Sequence, residues 1–146
     1  AALEFSKRVL KTPLVNQPIL NNPKSIYNMY HDQFVNDKQE KLMAIFLDTK
    51  KRLITAKIIF IGTINSSIVH PREIFKEAIK NSEVSIILVH NHPSGDIEPS
   101  PMDDTFTKNI IKTGEIIGIK ISDHIIIGQS KYYSYYLQQS HLFLNK

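Results

Sequence analysis

The sequence predicts one domain of the α/β or α+β class, in which helices flank a mixed sheet. Two observations support this class. Apolar runs of strand length recur along the chain, and they alternate with segments whose apolar residues follow helical spacing. The 146 residues, 42% of them hydrophobic, suffice for a real core. After an N-terminal arm, the predicted order is β-β-α-β-α-β-β.

The arm is predicted to span residues 1–37, as a helical segment and linker, and the main domain residues 38–146. Ala1–Lys11 is predicted to be an amphipathic helix, and the chain opens in mid-helix, which suggests a fragment of a longer protein. A loop with three prolines follows. Pro23 favours a helix start, so a second helix is predicted over Lys24–Phe34.

Two strands with a turn between them begin the main domain. Leu42–Leu47 is a continuous apolar run typical of a strand buried on both faces, and Arg52–Ile61 is rich in β-branched residues. Asp48–Lys51 supplies turn residues, so the two strands are predicted to form a hairpin. Gly62–Val69 is predicted to be a polar linker. Pro71–Asn81 is predicted to be a helix that buries one apolar face, formed by Ile74, Phe75, Ala78 and Ile79.

The second half continues the alternation. Val84–Val89 is predicted to be another buried strand. Ser100 is a predicted N-cap, followed by proline and then by a helix that runs to about Gly118. Ile119–Ile127 and Tyr132–Tyr136 are predicted to be the last two strands.

The composition excludes several classes of site. The chain has no cysteine, so any transition metal must be held by His, Asp, Glu or water. The longest apolar runs are far shorter than the roughly 20 residues of a membrane span, so no membrane association is expected. Absent cysteine suits a reducing compartment, and a cytoplasmic location is expected.

The charge gives only weak support for nucleic-acid binding. The net charge is +4 and the isoelectric point is about 9.2. The basic residues are scattered, and the one triplet, Lys50–Arg52, fits a solvated turn. DNA is therefore a possible partner that these residues do not demonstrate.

The informative motif is a pair of histidines, His90 and His92, at the end of a predicted strand. In an extended backbone, residues i and i+2 point to the same side, so the two imidazoles would converge. Asp103 lies in the first turn of the next helix and can complete a three-ligand set. Two imidazole nitrogens and a carboxylate suit one Zn²⁺ per chain, with an open fourth position. Water in that position can have its pKa lowered to about 7.

This combination resembles the JAMM metalloprotease signature, His-x-His-Pro followed by Ser-x-x-Asp. The eleven positions from His92 to Asp103 match the spacing of that signature. The longer string from His90 to Asp96 resembles the bacterial RadC branch, as do four other segments. Those four are Phe46–Thr49, Gly62-Thr63, His70–Glu73 and Asp123–Gly128.

The resemblance covers roughly residues 18–136. It implies the JAMM/MPN fold, a three-layer arrangement similar to that of cytidine deaminases. Members of this family carry an N-terminal helix-hairpin-helix domain, and Ala1–Lys11 would be the end of the connection to it.

The resemblance also implies roles for individual residues. His90, His92 and Asp103 would be the zinc ligands, and Ser100 would stabilise the oxyanion of a tetrahedral intermediate. A glutamate just before the first core strand would be the general base, and Glu40 stands there.

Glu73 is the rival candidate for the base, although it also suits a structural role at a helix N-terminus. His70 and His124 are further possible ligands, which more simply cap, pair or support the sheet. Deubiquitinating JAMM enzymes usually have Ser or Thr between the two histidines. Here Asn91 stands in that position, which fits the RadC branch, so the resemblance does not by itself imply isopeptidase specificity.

Two functions follow from the sequence. The first is zinc-dependent hydrolysis of a peptide or isopeptide bond in a peptide or protein substrate. The alternative is a non-enzymatic module for DNA repair or another DNA transaction, or for protein interaction, that keeps a structural metal. The sequence discloses neither the substrate nor the oligomeric state.

Overall fold

The structure, a computed structural model, describes residues 17–80 and 84–144. The helix predicted over Ala1–Lys11 lies outside the described residues. The described helices and strands follow one another in this order: α1 (Pro23–Phe34), β1 (Lys41–Leu47), β2 (Leu53–Ile61), α2 (Pro71–Ile79), β3 (Ser85–Asn91), α3 (Pro101–Ile117), β4 (Lys120–Ile127), β5 (Tyr132–Ser134) and α4 (Tyr135–Gln138), with a final 3-10 turn (Ser140–Phe143).

The five strands form one mixed sheet in the order β2-β1-β3-β4-β5. The predicted hairpin of β1 and β2 is antiparallel, and β1 also pairs antiparallel with β3. Only β3 and β4 are parallel, because α3 crosses between them. β5 closes the other edge, antiparallel to β4. The predicted class, a mixed sheet with flanking helices, is confirmed.

Two apolar clusters, one on each face, enclose the central strands. Along β1, Leu42, Ala44 and Phe46 belong to one cluster, whereas the alternate residues belong to the other. The first cluster packs α2 and α3 against the sheet, and the second packs α1. β1 and β3 are buried on both faces, which explains why their sequences are continuous apolar runs.

α1 is a layer of this core. Ile26, Tyr30 and Phe34 follow helical spacing and are buried in the second cluster. Leu20 belongs to the same cluster. Residues from the predicted arm (1–37) and from the predicted main domain (38–146) therefore share one core.

Two local predictions were wrong. Tyr132–Tyr136 was predicted to be a strand, but β5 ends at Ser134 and Tyr135 begins a helical turn. The Ser134 side chain accepts a hydrogen bond from the Leu137 backbone N–H, which stops the strand and caps the turn. On α2, Ile79 was predicted to face the core but is exposed, because the helix ends there.

Within the two described ranges, no helix is both long and apolar enough to cross a bilayer.

Gly114 tests the packing of α3 on the sheet. A Cβ at this position would overlap the Ile119 carbonyl oxygen, and backbone cannot move aside as a side chain can. We expect Gly114→Ala to lower the free energy of unfolding by about 1–3 kcal/mol, although alanine has the higher helix propensity. Urea unfolding measures this effect. Glu115→Ala, exposed on the same helix, should change stability by less than about 0.5 kcal/mol; a Gly114→Ala variant more stable than the parent would contradict the packing.

Candidate metal centre

Two histidines meet at the end of β3. The strand continues to Asn91, beyond the predicted end at Val89, so His90 lies within it and His92 just after it. His90 is fully buried, whereas the His92 side chain is 13% exposed. The His92 Nδ1–H donates to the Asp96 carbonyl oxygen at 2.8 Å. Because a carbonyl oxygen only accepts, this bond leaves the Nε2 lone pair of His92 facing the centre.

Asp103 enters the centre from the first turn of α3, whose N-cap is Ser100. Ser100 Oγ accepts from the Asp103 backbone N–H at 3.0 Å, and Asp103 Oδ2 accepts from the Ser100 backbone N–H at 2.9 Å. This capping box orients the carboxylate before any ligand arrives. The capping and ligating interpretations of Ser-x-x-Asp are therefore compatible, since a carboxylate has about four lone-pair sites.

The three predicted ligands converge. His90 Nε2 and His92 Nε2 are 3.1 Å apart. Asp103 Oδ2 lies 3.0 Å from His92 Nε2, and Asp103 Oδ1 lies 3.4 Å from His90 Nε2. Ligand atoms about 2.0–2.1 Å from a tetrahedral ion would be roughly 3.3 Å from one another. The spacing and the donor set therefore both fit a metal ion, and His90, His92 and Asp103 could hold one.

A buried chain of hydrogen bonds fixes the tautomer of His90. The Thr107 hydroxyl donates to the Asp103 carbonyl oxygen at 2.7 Å, so Thr107 Oγ1 accepts from His124 Nδ1 at 2.6 Å. His124 Nε2 must then accept from His90 Nδ1, which lies 2.6 Å away. The Nε2 lone pair of His90 is thereby left to face the centre, as a metal ligand requires.

The pKa values of the two histidines shift in opposite directions. Burial by itself lowers the pKa of each, but hydrogen bonds with Asp103 and with the Asp96 carbonyl outweigh it at His92, whose pKa is raised. Burial lowers the pKa of His90 and favours the neutral imidazole that binds metals. Burial would raise the pKa of Asp103, but hydrogen bonding from a protonated Nε2 of His90 or His92 outweighs it and holds that pKa far below its usual range. With both Nε2 atoms as acceptors beside a carboxylate, either a proton or a metal ion must lie among the three groups.

Asn91 links β3 to the segment that carries Glu40. Its Oδ1 accepts from the Lys41 backbone N–H at 2.8 Å, and its Nδ2 donates to the Gln39 carbonyl oxygen at 3.0 Å. The buried amide therefore holds the backbone on both sides of Glu40. Sequence reasoning noted Asn91 only as a departure from other JAMM proteins. The sequence does contain an indication of this role, because an asparagine at the end of a buried strand needs hydrogen-bond partners for its amide.

Burial is the largest influence on the pKa of both histidines, and the Glu40 carboxylate is near enough for its negative charge to act in the opposite direction on each. One carboxylate oxygen accepts from the Ile64 backbone N–H at 3.3 Å. Glu73 is exposed and pairs with Lys76 at 3.0 Å. Its pKa is lowered by that hydrogen bond. Glu40 remains the predicted base, because its charge acts on both histidines, whereas the Glu73 carboxylate is engaged in a surface ion pair.

The other histidines differ in their surroundings. His70 is exposed at the N-cap of α2, where its side chain forms no capping bond. His124 supports His90, and it also stacks on Tyr135 with ring centroids 5.2 Å apart. The Tyr135 hydroxyl donates to Asp104 Oδ1 at 2.7 Å. Neither Thr107 nor Tyr135 was identified from the sequence, because both act through contacts distant in the chain.

The chain matches known proteins over most of its length. The family described as the RadC-like JAB domain matches residues 20–141. A UPF0758 protein of Clostridioides difficile is 48% identical over 135 residues, and the match covers 92% of this chain and 57% of that protein. A UPF0758 protein of a Geobacillus species is 47% identical over 136 residues, covering 92% and 59% of the two chains.

An archaeal relative is similar to the same degree. A UPF0758 protein of Methanosarcina mazei is 44% identical over 136 residues, covering 92% of this chain and 58% of that protein. The chain thus spans less than two thirds of the length of these curated relatives. The fold, the converging ligand set and the extent of these matches agree: the chain belongs to the RadC-like JAB domain family.

Proposed function

We propose that this domain is a zinc-dependent hydrolase of the JAMM type, a metallopeptidase that cleaves a peptide or isopeptide bond in a peptide or protein substrate. The observation that carries the proposal is the meeting of His90 Nε2, His92 Nε2 and the Asp103 carboxylate, with separations of 3.0 to 3.4 Å. One Zn²⁺ per chain would be held by these three residues. The chain spans less than two thirds of the length of its curated relatives.

A set of three protein ligands is typical of catalytic zinc, since structural sites use four. When bound, zinc supplies Lewis-acid polarisation of a carbonyl group and lowers the pKa of a coordinated water. Of the two histidines, His92 is the partly exposed one, so a substrate would reach the centre from the side of His92.

Glu40 is the proposed general base. Its carboxylate takes the proton of the attacking water and returns it to the leaving amine. Asn91 is a positioning residue in this proposal, since it holds the backbone on both sides of Glu40 through two hydrogen bonds.

Ser100 is the proposed donor to the oxyanion. Its Oγ already accepts from the Asp103 N–H, so its own hydroxyl hydrogen remains to be donated. Among the residues that the structure describes, that hydrogen has no acceptor. Removal of one such donor in an acyl-transfer site typically costs about 10²–10³ in kcat.

The alternative, a DNA-transaction or protein-interaction module that keeps a structural metal, makes a different prediction for Glu40. A structural metal would need no base, so Glu40→Gln would leave the function unchanged. A hydrolase loses its activity in the same variant.

Zinc content tests the ligand set. We expect purified protein to contain about one zinc per chain and His92→Ala to lose most of it, because two protein ligands hold zinc far more weakly than three. Elemental analysis by mass spectrometry measures the content. His70→Ala is the matched control, an exposed histidine whose loss should leave zinc unchanged. Full zinc content and activity in His92→Ala would refute the assignment.

Replacement of Glu40 tests the base. Glu40→Gln keeps the shape of the side chain but cannot take a proton, so we expect kcat/KM to fall by about 10²–10⁴ while zinc content stays unchanged. A peptide-library cleavage screen with the zinc-loaded protein would supply the substrate. Glu73→Gln is the control and should retain activity; a loss in Glu73→Gln with an active Glu40→Gln would identify the rival base.

Thr107→Val tests the hydrogen-bond chain behind His90. Valine keeps the shape but removes the hydroxyl that receives the His124 proton, so the tautomer of His90 is no longer fixed. We expect zinc affinity to fall about 10- to 100-fold, measured by competition with a chromophoric chelator. Thr113→Val removes a hydroxyl on the same helix that bonds only to the Asn109 carbonyl oxygen. Equal affinities for these two variants would rule out the role of the chain.

A further inference from the structure

A second concave site lies at the other end of β3. It is a cavity of about 350 Å³ between the start of α1 and the β3–β4 pair. Ile87 and Ile125, which line it, belong to the cluster under α1. His90 lies three residues beyond Ile87, on the opposite face by strand alternation. The cavity is therefore separated from the metal centre by the sheet itself.

Two lysines line this cavity without a carboxylate paired to them. Lys51 lies in the turn between β1 and β2, and Lys120 begins β4. Neither forms an ion pair with an acidic residue in the described part of the chain. Burial and the charge of Lys120 both lower the pKa of Lys51, so the two ammonium groups are near enough to repel each other. An anion between them would relieve that repulsion.

Two buried hydroxyl groups without partners flank Lys120. Across residues 17–80 and 84–144, the buried side-chain N and O atoms that lack a hydrogen bond are Ser85 Oγ and Ser122 Oγ. Ser85 pairs with Lys120 in the ladder, and Ser122 lines the cavity. Unsatisfied buried groups are rare and indicate a partner such as a water, an ion or a ligand.

A bulge places Ser122 at this corner. The register passes from Ile86 opposite Ile121 to Ile87 opposite Asp123, which leaves Ser122 as the extra residue. Bulges are uncommon in parallel pairs, and they re-aim side chains near functional sites. Because the serine hydroxyl turns about a single side-chain bond, a change of rotamer is enough to direct the Ser122 hydroxyl into the cavity.

Asp123 also lines the cavity, and its carboxylate is the one feature that opposes an anion. Both of its oxygens are already engaged. Oδ1 accepts from the backbone N–H groups of His124 and Tyr136, and Oδ2 accepts from the Ser134 hydroxyl at 2.6 Å. Burial raises the pKa of Asp123 to about 6, which further limits its negative charge in mildly acidic solution.

We propose that this corner cavity binds a small organic anion, a phosphate or carboxylate group attached to an apolar body. The anionic group lies between Lys51 and Lys120 and accepts a hydrogen bond from Ser122. The apolar body packs against Ile87 and Ile125. The volume is within the roughly 300–1,000 Å³ of small-molecule sites, and the mixture of apolar walls with a few polar groups is typical of them.

Calorimetric titration of the full chain with four probes tests the chemistry. 1-Naphthyl phosphate and 1-naphthoate carry both the anion and the apolar body, whereas 1-naphthol lacks the anion and inorganic phosphate lacks the body. We expect the two organic anions to bind at least about tenfold more tightly than either partial probe, since each partial probe loses one set of contacts. The ratio between the two anions distinguishes a phosphate site from a carboxylate site. Equal binding of 1-naphthol and the organic anions would overturn the proposal, and so would an absence of binding by both anions at about 1 mM.

Variants locate the binding. We expect Lys51→Gln and Lys120→Gln each to weaken both organic anions about 3- to 10-fold, and Ser122→Ala about 3-fold. Lys112→Gln removes the same charge from an exposed site on α3 and should have no effect. If Lys51→Gln and Lys120→Gln together leave the affinity unchanged, the site is not this cavity.

His92→Ala separates this proposal from the zinc hydrolase. The variant should bind the organic anions as tightly as the parent, because the cavity and the centre lie on opposite faces. Loss of binding in His92→Ala would mean that the probes ligate the metal, which would refute the cavity site. Loss of zinc without loss of anion binding would support the cavity site, independently of whether the zinc hydrolase proposal holds.

Discussion

The centre depends on one constraint. Three groups that present lone pairs are held within hydrogen-bonding distance of one another, and a proton or a cation must lie among them. The Asp103 carboxylate is held in the centre, because it and the Asp103 backbone N–H also form the capping box with Ser100. The tautomers of His90 and His92 are each set by a bond on the far side of the ring. Structure on every side of the site thus favours a cation at its middle.

The sheet supplies this constraint through its central pair of strands. β3 carries the histidines, and β1 brings Glu40 beside them through antiparallel pairing. The Asn91 amide continues that pairing by one more step with side-chain atoms, where the backbone ladder ends. A polar residue buried there is stable because both ends of its amide are hydrogen-bonded.

The two ends of the β3–β4 pair differ in character. At the carboxyl end of β3, acceptor atoms converge and favour a cation. At the amino end, two lysines and Ser122, whose hydroxyl has no partner, line a cavity with apolar walls, and they favour an anion. Strand alternation along β3 places Ile87, which lines the cavity, and His90 on opposite faces of the sheet. The two sites therefore use separate sets of side chains.

Features that depend on neighbouring residues were predictable from the sequence alone. The start of α3 at Ser100-Pro101, the buried runs of β1 and β3 and the i, i+2 pairing of His90 and His92 depend on neighbouring residues, whose effects follow from backbone geometry. The strand order, the bulge at Ser122 and the bonds of Asn91, Thr107 and His124 join segments that are distant in the sequence. Only the tertiary structure decided these, because burial and hydrogen-bond partners across the sheet exist only once the chain has folded.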